Sequence, residues 1–401
     1  MIEFIKQHRE EDPRQLALQA QRYPDIDMRE AVVQISGWQT ARKKLPLWAA
    51  TEGVVFPEHL SMEQCSSQLT AEYKASLALS LLDPLVRESG TVRMTDLTGG
   101  FGVDATMMAL RLNAHLTFVE RNERLCEIAR NNLPLLGVTR FEVRNSDGTE
   151  ELGNLPQQTL IYIDPARRDE HGSKTVAISD CTPDISSLEG LMKEKAEWTM
   201  VKLSPMIDLA SIGRTLKGVA EIHIVSVEGE CKEVLVLMHK GWTEETALVC
   251  ANIGKDGKAL VLRADEGNSQ CCYATSVGKY LYEPNASIMK ACAFKSVAQQ
   301  YGVAKLHPSS HLYTSDTLVE GFPGRSFEVE GWSTFAKKEL RQFLGSIKKA
   351  NLTVRNFPST VADLRKRLKI AEGGDVYLFA TTLADESHIV IRCRKAASAQ
   401  Q

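Results

Sequence analysis

Residues 94–105, MTDLTGGFGVDA, join the end of an apolar strand to the start of a helix. Glycines in such a turn let the backbone approach a ligand without a Cβ in the way, and the N-terminus of a helix offers free amides. Asp96 stands just before the turn, where its carboxylate could accept hydrogen bonds from a cationic amino-acid group. The stretch therefore predicts a ligand-binding turn at the carboxyl edge of a mostly parallel sheet.

Short apolar runs alternate with helical segments on both sides of this turn, which is typical of an α/β fold. The predicted strands are 92–97, 115–120, 139–143, 159–163, 198–203, 220–227 and 232–239. The predicted helices between them are 103–112, 122–136, 184–195 and 206–216. Only four residues separate the last two strands, so these must form an antiparallel hairpin. The pattern predicts a Rossmann-like sheet of seven strands, six parallel and one antiparallel.

The flanking regions divide the chain further. We predict an N-terminal helical segment (1–60), the sheet domain (61–243), a small ferredoxin-like or linker α+β region (244–320) and a basic domain (321–401). Ser61 and Gln64 have the spacing of a capping box, which predicts a long helix from Ser61 through Leu82. From about 325 the order strand, helix, strand, helix, strand, strand predicts a small α+β domain.

The bulk composition is that of a folded protein, with 401 residues, 43% hydrophobic residues and a net charge of -3. The first residues, MIEFIKQHREED, carry charges where a signal peptide needs an apolar core, and no apolar run reaches the length of a membrane span. Nine cysteines are scattered without a CxxC pair, and His307 and His311 lack partners at metal spacing. We therefore expect a cytoplasmic protein with reduced thiols and no metal or membrane partner. The oligomeric state cannot be read from the sequence.

Positive charge is concentrated near the C-terminus. Residues 336–369 contain ten Lys or Arg against two acidic residues. Arg365, Lys366 and Arg367 are the candidates for contacts with the phosphates of a nucleic acid. The alternative interpretation is a solvated helix face, which is what charge runs usually are.

The glycine turn alone leaves two cofactor classes open. Gly100, Gly102 and Ala105 also satisfy the GxGxxA pattern of dinucleotide-binding enzymes, so a nicotinamide dehydrogenase is a competing hypothesis. Asp96 disfavours it because its negative charge would meet a pyrophosphate. The antiparallel end of the sheet and the strand that runs into Asp164 and Pro165 disfavour it as well.

Four motifs resemble, in order, those of class I S-adenosylmethionine-dependent methyltransferases. They are DLTGGFGVDA (96–105), FVERN (118–122), NSDG (145–148) and YIDPARR (162–168). With EQCSSQLTAEYKASL (63–77), the whole chain is similar to the family of methyltransferases that carry a C-terminal THUMP-like domain. The resemblance implies S-adenosyl-L-methionine as cofactor and RNA as partner. It assigns the methionine part to Asp96, Thr98, Gly100 and Gly102, the ribose to Glu120, and the adenine amino group to Asp147.

The segment Asp164-Pro165-Ala166-Arg167 stands where amino-group methyltransferases place an acidic or amide residue, two prolines and an aromatic. There a side-chain oxygen and a backbone carbonyl orient the target amine, and such positioning is most of what the transfer needs. The sequence departs from the pattern, since Ala166 replaces the second proline and no aromatic follows. Arg167 and Arg168 could stack on a base, clamp a phosphate or form a surface ion pair.

Three further residues have open roles. Lys202, at the carboxyl end of its strand, could neutralise a phosphate or orient Asp164, and Tyr73 and Lys74 on the leading helix could cover the cofactor or be structural. Covalent attack on a pyrimidine carbon is disfavoured because Leu203 and Ser204 stand where such enzymes have a cysteine. We predict methyl transfer to a nitrogen of structured RNA (rRNA or tRNA). The alternatives are a methyltransferase acting on a small molecule or protein, and an inactive cofactor-binding RNA module.

Overall fold

A computed structural model describes residues 1–82, 92–167 and 178–396. Predicted site residue Arg168 and the side chain of Arg167 lie outside the described part. The chain divides into two compact units, Met1–Ile222 with Glu233–Thr246, and His223–Lys232 with Ala247–Gln401.

The first unit begins with short helices. They are α1 (Ile2–His8), α2 (Pro13–Ala17), α3 (Met28–Lys44), α4 (Pro46–Ala50), α5 (His59–Gln64) and α6 (Gln68–Leu81). Asp12 caps α2 by accepting a hydrogen bond from the Arg14 amide at 2.8 Å, and Pro13 occupies the first helical position. Phe4, Leu16 and Ile35 are among the apolar residues buried between the first helices.

The predicted single helix from Ser61 to Leu82 is wrong, because the chain breaks between α5 and α6. Cys65 has extended backbone, and Ser67 caps the second helix by accepting from the Thr70 amide at 3.3 Å. Ser67 is therefore a helix cap, while its neighbour Ser66 is buried. The Ser66 hydroxyl lies 2.7 Å from the carboxylate of Asp104.

The sheet of the first unit follows the predicted pattern. Its strands are β1 (Arg93–Asp96), β2 (His115–Glu120), β3 (Phe141–Asn145), β4 (Gln158–Ile163), β7 (Ala196–Leu203), β8 (Val219–Val227) and β9 (Glu230–His239); β5 (Ala166–Arg167) and β6 (Cys181–Thr182) form a separate ribbon. The helices between them are α7 (Val103–Leu112), α8 (Glu123–Leu135), α9 (Gly148–Asn154), α10 (Ile185–Lys195) and α11 (Leu209–Thr215). The hydrogen-bonded order is β3-β2-β1-β4-β7-β9-β8.

The strand directions confirm the predicted α/β class. Strands β3, β2, β1, β4 and β7 pair in parallel, and β9 is antiparallel to β7. Only Glu228 and Gly229 connect β8 to β9, so this pair is a hairpin and β8 runs with the parallel strands. A parallel sheet of this kind collects the carboxyl ends of its strands at one edge, where ligands bind.

Buried apolar side chains hold the helices on the sheet. Met94, Leu116, Phe118 and Leu160 are fully buried or nearly so in the central strands. Alanines of α6 and α7 belong to the same cluster, and small side chains let these two helices lie close together. The close approach brings residues of α6 next to the start of α7.

The second unit contains two strands that were not predicted to neighbour β8. β10 (Ala247–Ile253) and β11 (Ala259–Ala264) form an antiparallel hairpin, and β10 lies beside the part of β8 that belongs to this unit. Among the described residues the sheet thus has nine strands instead of seven. The Glu228 amide donates to the Ile253 carbonyl at 3.1 Å, so the hairpin satisfies backbone groups at an edge that would otherwise be exposed.

The remainder of the second unit is one sheet of seven strands among the described residues, ordered β13-β14-β12-β15-β18-β17-β16. Its strands are β12 (Tyr280–Pro284), β13 (Ala304–Lys305), β14 (Tyr313–Ser315), β15 (Gly324–Thr334), β16 (Asn351–Arg355), β17 (Tyr377–Thr382) and β18 (His388–Lys395). Its helices are α12 (Ala286–Ala291), α13 (Phe294–Tyr301), α14 (Lys337–Leu344) and α15 (Val361–Leu368). From β15 onward the element order is the predicted one.

Candidate cofactor and acceptor site

Three hydrogen bonds connect the tips of four adjacent strands in the first unit. The Gly100 amide donates to Glu120 Oε2 at 2.8 Å, which joins the turn after β1 to the end of β2. The Asp164 amide donates to Thr98 Oγ1 at 2.7 Å, which joins the end of β4 to the same turn. The Asn145 side chain donates to the Glu120 carbonyl at 3.0 Å, which joins β3 to β2. The acids at the ends of these strands therefore lie along one edge.

The glycine turn forms an open cradle. Gly100 and Gly102 have φ values of +55° and +83°, in the left-handed region that favours glycine. A Cβ added at Gly100 would meet nothing closer than the Thr98 carbonyl at 3.8 Å, so this side of the turn has space. Gly102 precedes α7 and supplies no side chain to cap its first amides, which suits the binding of an anionic group there.

Asp96 is buried below the turn, with a relative exposure of 1%. Its Oδ1 accepts a hydrogen bond from the Thr98 amide at 2.9 Å. Burial raises the pKa of Asp96 to about 8, and the neighbouring acids Asp104, Asp164 and Glu120 act in the same direction. A cationic ligand would stabilise the ionised form of Asp96, which burial alone disfavours.

Glu120 and Asp147 lie at the ends of the next two strands. Glu120 Oε1 accepts from the Asn122 amide at 2.8 Å, so both carboxylate oxygens are held by backbone amides. Asp147 caps α9 by accepting from the Thr149 amide at 2.7 Å, and it pairs with Arg121. The hydrogen bond from the Thr149 hydroxyl is the main cause that lowers the pKa of Asp147, despite some burial. Both acids have fixed positions.

Asp164 is the acid at the end of β4. Its side chain is 36% exposed, and its carboxylate forms an ion pair with Lys202 of β7. Burial raises the pKa of Asp164, and Lys202 opposes this shift. Pro165 follows and is buried, and β5 then pairs with β6 through Ala166 and Thr182. The backbone of Ala166 and Arg167 is thus extended.

An acid that was not predicted as a site residue, Asp104, lies on the side of Lys202 opposite Asp164. Asp104, in the first turn of α7, accepts hydrogen bonds from the Tyr162 and Ser66 hydroxyls, each at 2.7 Å. Lys74 is fully buried, and its ammonium lies 3.2 Å from Asp104 and 2.6 and 2.8 Å from the two oxygens of Glu233. The ammonium of Lys74 is therefore engaged by two carboxylates inside the unit.

The side chains of the other predicted site residues differ in their exposure to solvent. Tyr73 is half-buried on α6. Lys366 and Arg367 are exposed on α15, and the Arg367 guanidinium lies 5.4 Å from the centre of the Phe335 ring. Arg365 is only 19% exposed and donates to the Ala350 carbonyl at 3.2 Å. Lys366 and Arg367 are therefore available to a partner, whereas Arg365 is tied into its own domain.

None of the helices within 1–82, 92–167 and 178–396 is both long and apolar enough to span a bilayer. The same residues contain no group of three or more His, Cys, Asp or Glu side chains arranged to hold a metal ion.

Comparison with known proteins identifies the C-terminal domains and a full-length relative. Residues 280–323 match a ferredoxin-like domain family, and residues 324–395 match a THUMP domain-like family. The chain is 33% identical to a solved "putative methyltransferase" from Porphyromonas gingivalis W83, with a TM-score of 0.84 over 99% of this chain and 97% of that one. No curated protein matches the sequence.

Smaller methyltransferases match part of the chain. An RNA methyltransferase from Salinibacter ruber, solved with S-adenosyl-L-homocysteine, is 16% identical over 45% of this chain and 96% of that one, with a TM-score of 0.31. Precorrin-6y C5,15-methyltransferase from Geobacter metallireducens GS-15 is 15% identical over 43% of this chain and 88% of that one, with a TM-score of 0.30. At TM-scores of this size the two proteins do not bear on the function of the chain.

The sheet order, with its antiparallel strand next to β7, and the full-length relative define a class I methyltransferase, the class whose methyl donor is S-adenosylmethionine. The chain belongs to the family of these enzymes that carries a C-terminal THUMP-like domain.

Proposed function

We propose that this methyltransferase transfers a methyl group to a nitrogen of structured RNA, rRNA or tRNA. The observation that carries the proposal is the position of Asp164, whose amide donates to Thr98 at 2.7 Å and whose carboxylate lies at the same sheet edge as Asp96 and Glu120. An acceptor oxygen thus stands beside the turn that would hold the methyl donor. The THUMP-like domain, with its exposed basic residues, supports RNA as the substrate class.

The residues at the strand tips fit S-adenosylmethionine. Asp96 would bind the α-ammonium group of the cofactor. Burial disfavours the anionic form of this carboxyl group, and a bound cation would stabilise that form. Thr98 and the amides near Gly100 and Gly102 would take the rest of the amino-acid part, since the cradle is open there. When bound, the sulfonium supplies an electrophilic methyl group.

The polar parts of the nucleoside would meet the next two acids. Glu120 has both oxygens fixed at the end of β2, where a carboxylate can accept from the two ribose hydroxyls. Asp147 at the start of α9 would accept from the adenine amino group. Tyr73 on α6 would cover the cofactor. For Lys74 we propose an indirect role, because its ammonium is already held by Asp104 and Glu233.

The target amine would be oriented by two oxygens. One belongs to Asp164 and the other to the Pro165 carbonyl, and hydrogen bonds from both N–H groups would point the nitrogen lone pair at the methyl group. The nitrogen would gain the methyl group as the carbon–sulfur bond of the donor breaks and S-adenosylhomocysteine leaves, and it would lose one proton, which the Asp164 carboxylate is placed to accept. Lys202 fixes Asp164 during this step. Arg167 and Arg168 would contact the RNA around the target nucleotide.

Nucleoside mass spectrometry tests the proposal. The purified protein would be incubated with methyl-deuterated S-adenosylmethionine and total RNA from cells that lack the gene, and the digested RNA would be analysed. We expect label in one nucleoside, on a base nitrogen. Label on a small molecule or a protein instead, label on a ring carbon, or absence of transfer despite cofactor binding would each contradict the proposal.

Charge reversal tests the RNA-binding surface. The double variant Lys366→Glu, Arg367→Glu should weaken RNA binding at least about tenfold for all sequences and flatten the slope of log Kd against log salt by about 2, because two phosphate contacts are lost. Filter binding at several salt concentrations measures both. Lys255→Glu, Lys258→Glu is the matched control, since both lysines are exposed in the β10–β11 turn. An equal loss in both variants would contradict a specific surface on α15.

The raised pKa of Asp96 makes cofactor affinity depend on pH. In the free protein Asp96 is largely protonated below its pKa of about 8, and binding of a cationic ammonium must expel that proton. Affinity for S-adenosylhomocysteine should therefore rise as pH rises towards about 8, by at most about tenfold per pH unit, and then level off. Calorimetry in two buffers of different ionisation enthalpy would show the released proton. Asp96→Asn should abolish the release, and pH-independent binding by the wild type would refute the assignment.

A further inference from the structure

We infer that Asp104, Lys74 and Glu233 act as positioning residues for the reaction, because they form a chain of alternating charges with Lys202 that holds the Lys202 ammonium against the Asp164 carboxylate. The inference rests on the proposed role of Asp164 as the residue that orients the acceptor amine. It assigns a function to a buried cluster that neither the cofactor contacts nor the RNA contacts use.

The chain of charges can be followed atom by atom. Lys202 Nζ pairs with Asp164 Oδ2 on one side and lies 3.9 Å from Asp104 Oδ2 on the other. Lys74 Nζ lies 3.2 Å from Asp104 Oδ1 and donates to both oxygens of Glu233. The signs therefore alternate from the acceptor site into the interior, in the order Asp164, Lys202, Asp104, Lys74, Glu233.

Hydroxyl groups fix the middle of the chain. Ser66 Oγ donates to Asp104 Oδ2 and lies 3.2 Å from Lys74 Nζ and 3.5 Å from Lys202 Nζ. The Tyr162 hydroxyl donates to the same Asp104 oxygen. Asp104 therefore cannot rotate without losing several partners, and Lys202 keeps a fixed counter-ion behind it.

The side chains of this row of charges become more exposed towards Asp164. Lys74, Asp104 and Glu233 are buried, the Lys202 side chain is 13% exposed, and the Asp164 side chain is 36% exposed. Removing charges from water is unfavourable, and apolar residues of similar volume often stabilise a fold as well or better. A costly ionic chain whose single accessible end is the acceptor residue is thus explained by a task at that end.

The task is to keep the Asp164 oxygen that faces the acceptor amine free of a proton. Lys202 occupies Oδ2, so a proton on this carboxyl would sit on the other oxygen, which is the one left for the acceptor amine. A protonated Asp164 would then present a donor where an acceptor is needed. Keeping the group ionised preserves the geometry that the proposed transfer requires.

Substitutions of the surrounding lysines and acids should shift the pKa of Asp164 in opposite directions. Among the described residues, the groups around Asp164 are the cations Lys202 and Lys74, the acids Asp104, Asp96 and Glu233, and the Tyr162 hydroxyl. Burial raises the pKa of Asp164, the two lysines lower it, and Asp104 raises it. Burial alone would lower the pKa of Lys202, but Asp164, Asp104 and Glu233 raise it above its ordinary value. Lys202 therefore stays cationic.

Titration of the ligand-free, full-length protein tests the inference. Aspartate labelled with ¹³C at the carboxyl carbon would be followed by NMR as a function of pH, with the Asp164 signal assigned through Asp164→Ala. Lys202→Met should raise the Asp164 midpoint by about one pH unit or more, and Asp104→Asn should lower it. Lys202→Arg, which keeps the charge, should restore the wild-type midpoint to within about 0.3 unit. Lys193→Met is the matched control, because Lys193 pairs with Glu189 on α10 away from the site.

Activity supplies the second readout. The acidic limb of the kcat profile should move in the same direction as each midpoint, while KM for the cofactor stays constant. The inference would be overturned by an unchanged Asp164 midpoint in Lys202→Met, by equal shifts in Lys202→Met and Lys202→Arg, or by an unchanged or raised midpoint in a folded Asp104→Asn protein. The comparison of the two Lys202 variants stands even if Asp104→Asn fails to fold. If the Asp164 midpoints shift while the acidic limb of the kcat profile does not, the result would support the chain of charges. It would contradict the role of Asp164 in the proposed function.

Discussion

Asp164→Ala is expected to lower the rate of methyl transfer by about 10²- to 10³-fold, because it removes the side-chain acceptor that orients the target amine. Affinity for S-adenosylhomocysteine should change by less than about threefold, since Asp164 touches the cofactor turn through its backbone amide, which alanine retains. The measurement is single-turnover transfer at saturating cofactor, with calorimetry of S-adenosylhomocysteine on the same preparation.

A matched aspartate controls for the loss of an ion pair. Asp208 caps α11 and pairs with Arg214 at the surface of the same unit, so Asp208→Ala removes a comparable carboxylate from an ion pair that does not involve Asp164 or Lys202. It should leave transfer nearly unchanged. A parallel loss of cofactor binding and transfer in Asp164→Ala would show that this residue supports the pocket and does not orient the acceptor.

Gly148→Ala is expected to destabilise the protein by about 3 kcal/mol, because the new methyl group has no space. A Cβ at this position would lie 2.2 Å from the Leu97 carbonyl oxygen and 3.1 Å from its carbonyl carbon. The obstacle is backbone of the cofactor turn and cannot rotate away as a flexible side chain would. Relief of the clash moves Asp147 and α9 away from the turn, so S-adenosylhomocysteine should bind at least about tenfold more weakly.

Gly153→Ala is the control on the same helix. Nothing lies within 4 Å of a Cβ at Gly153, and alanine in a helix is favoured over glycine by about 1 kcal/mol. Urea denaturation should therefore show opposite changes in the free energy of unfolding for the two variants. Similar changes, or a Gly148→Ala protein as stable as the wild type, would mean that α9 does not pack against the turn as described.

The sequence predicted the elements that carry the site because each has a local signal. Strands such as 115–120 show apolar runs between turn residues, and acids that follow such runs, like Glu120 and Asp164, must gather at one edge when the strands are parallel. The hydrogen bonds between Gly100 and Glu120 and between Thr98 and Asp164 are the result.

Interactions between distant parts of the chain could not be predicted in the same way. Lys74 and Glu233 are 159 residues apart, and nothing near either residue indicates that it is buried or paired. Arg365 stands in a run of charges typical of a solvated face, yet its guanidinium is held by a backbone carbonyl. The capping-box pattern at Ser61 was wrong because Ser67, six residues later, caps the helix that packs against α7. In each case tertiary contacts decided between locally acceptable structures.

Calorimetric titration of the full-length protein with S-adenosylhomocysteine and with NAD⁺ tests the central claim, that acids at four strand tips form the pocket of a methyl donor. We expect one site for S-adenosylhomocysteine, with a Kd on the order of micromolar, substantial weakening in Glu120→Ala, and no heat of binding with NAD⁺. Binding of NAD⁺ in place of S-adenosylhomocysteine, or wild-type affinity in Glu120→Ala, would contradict the account.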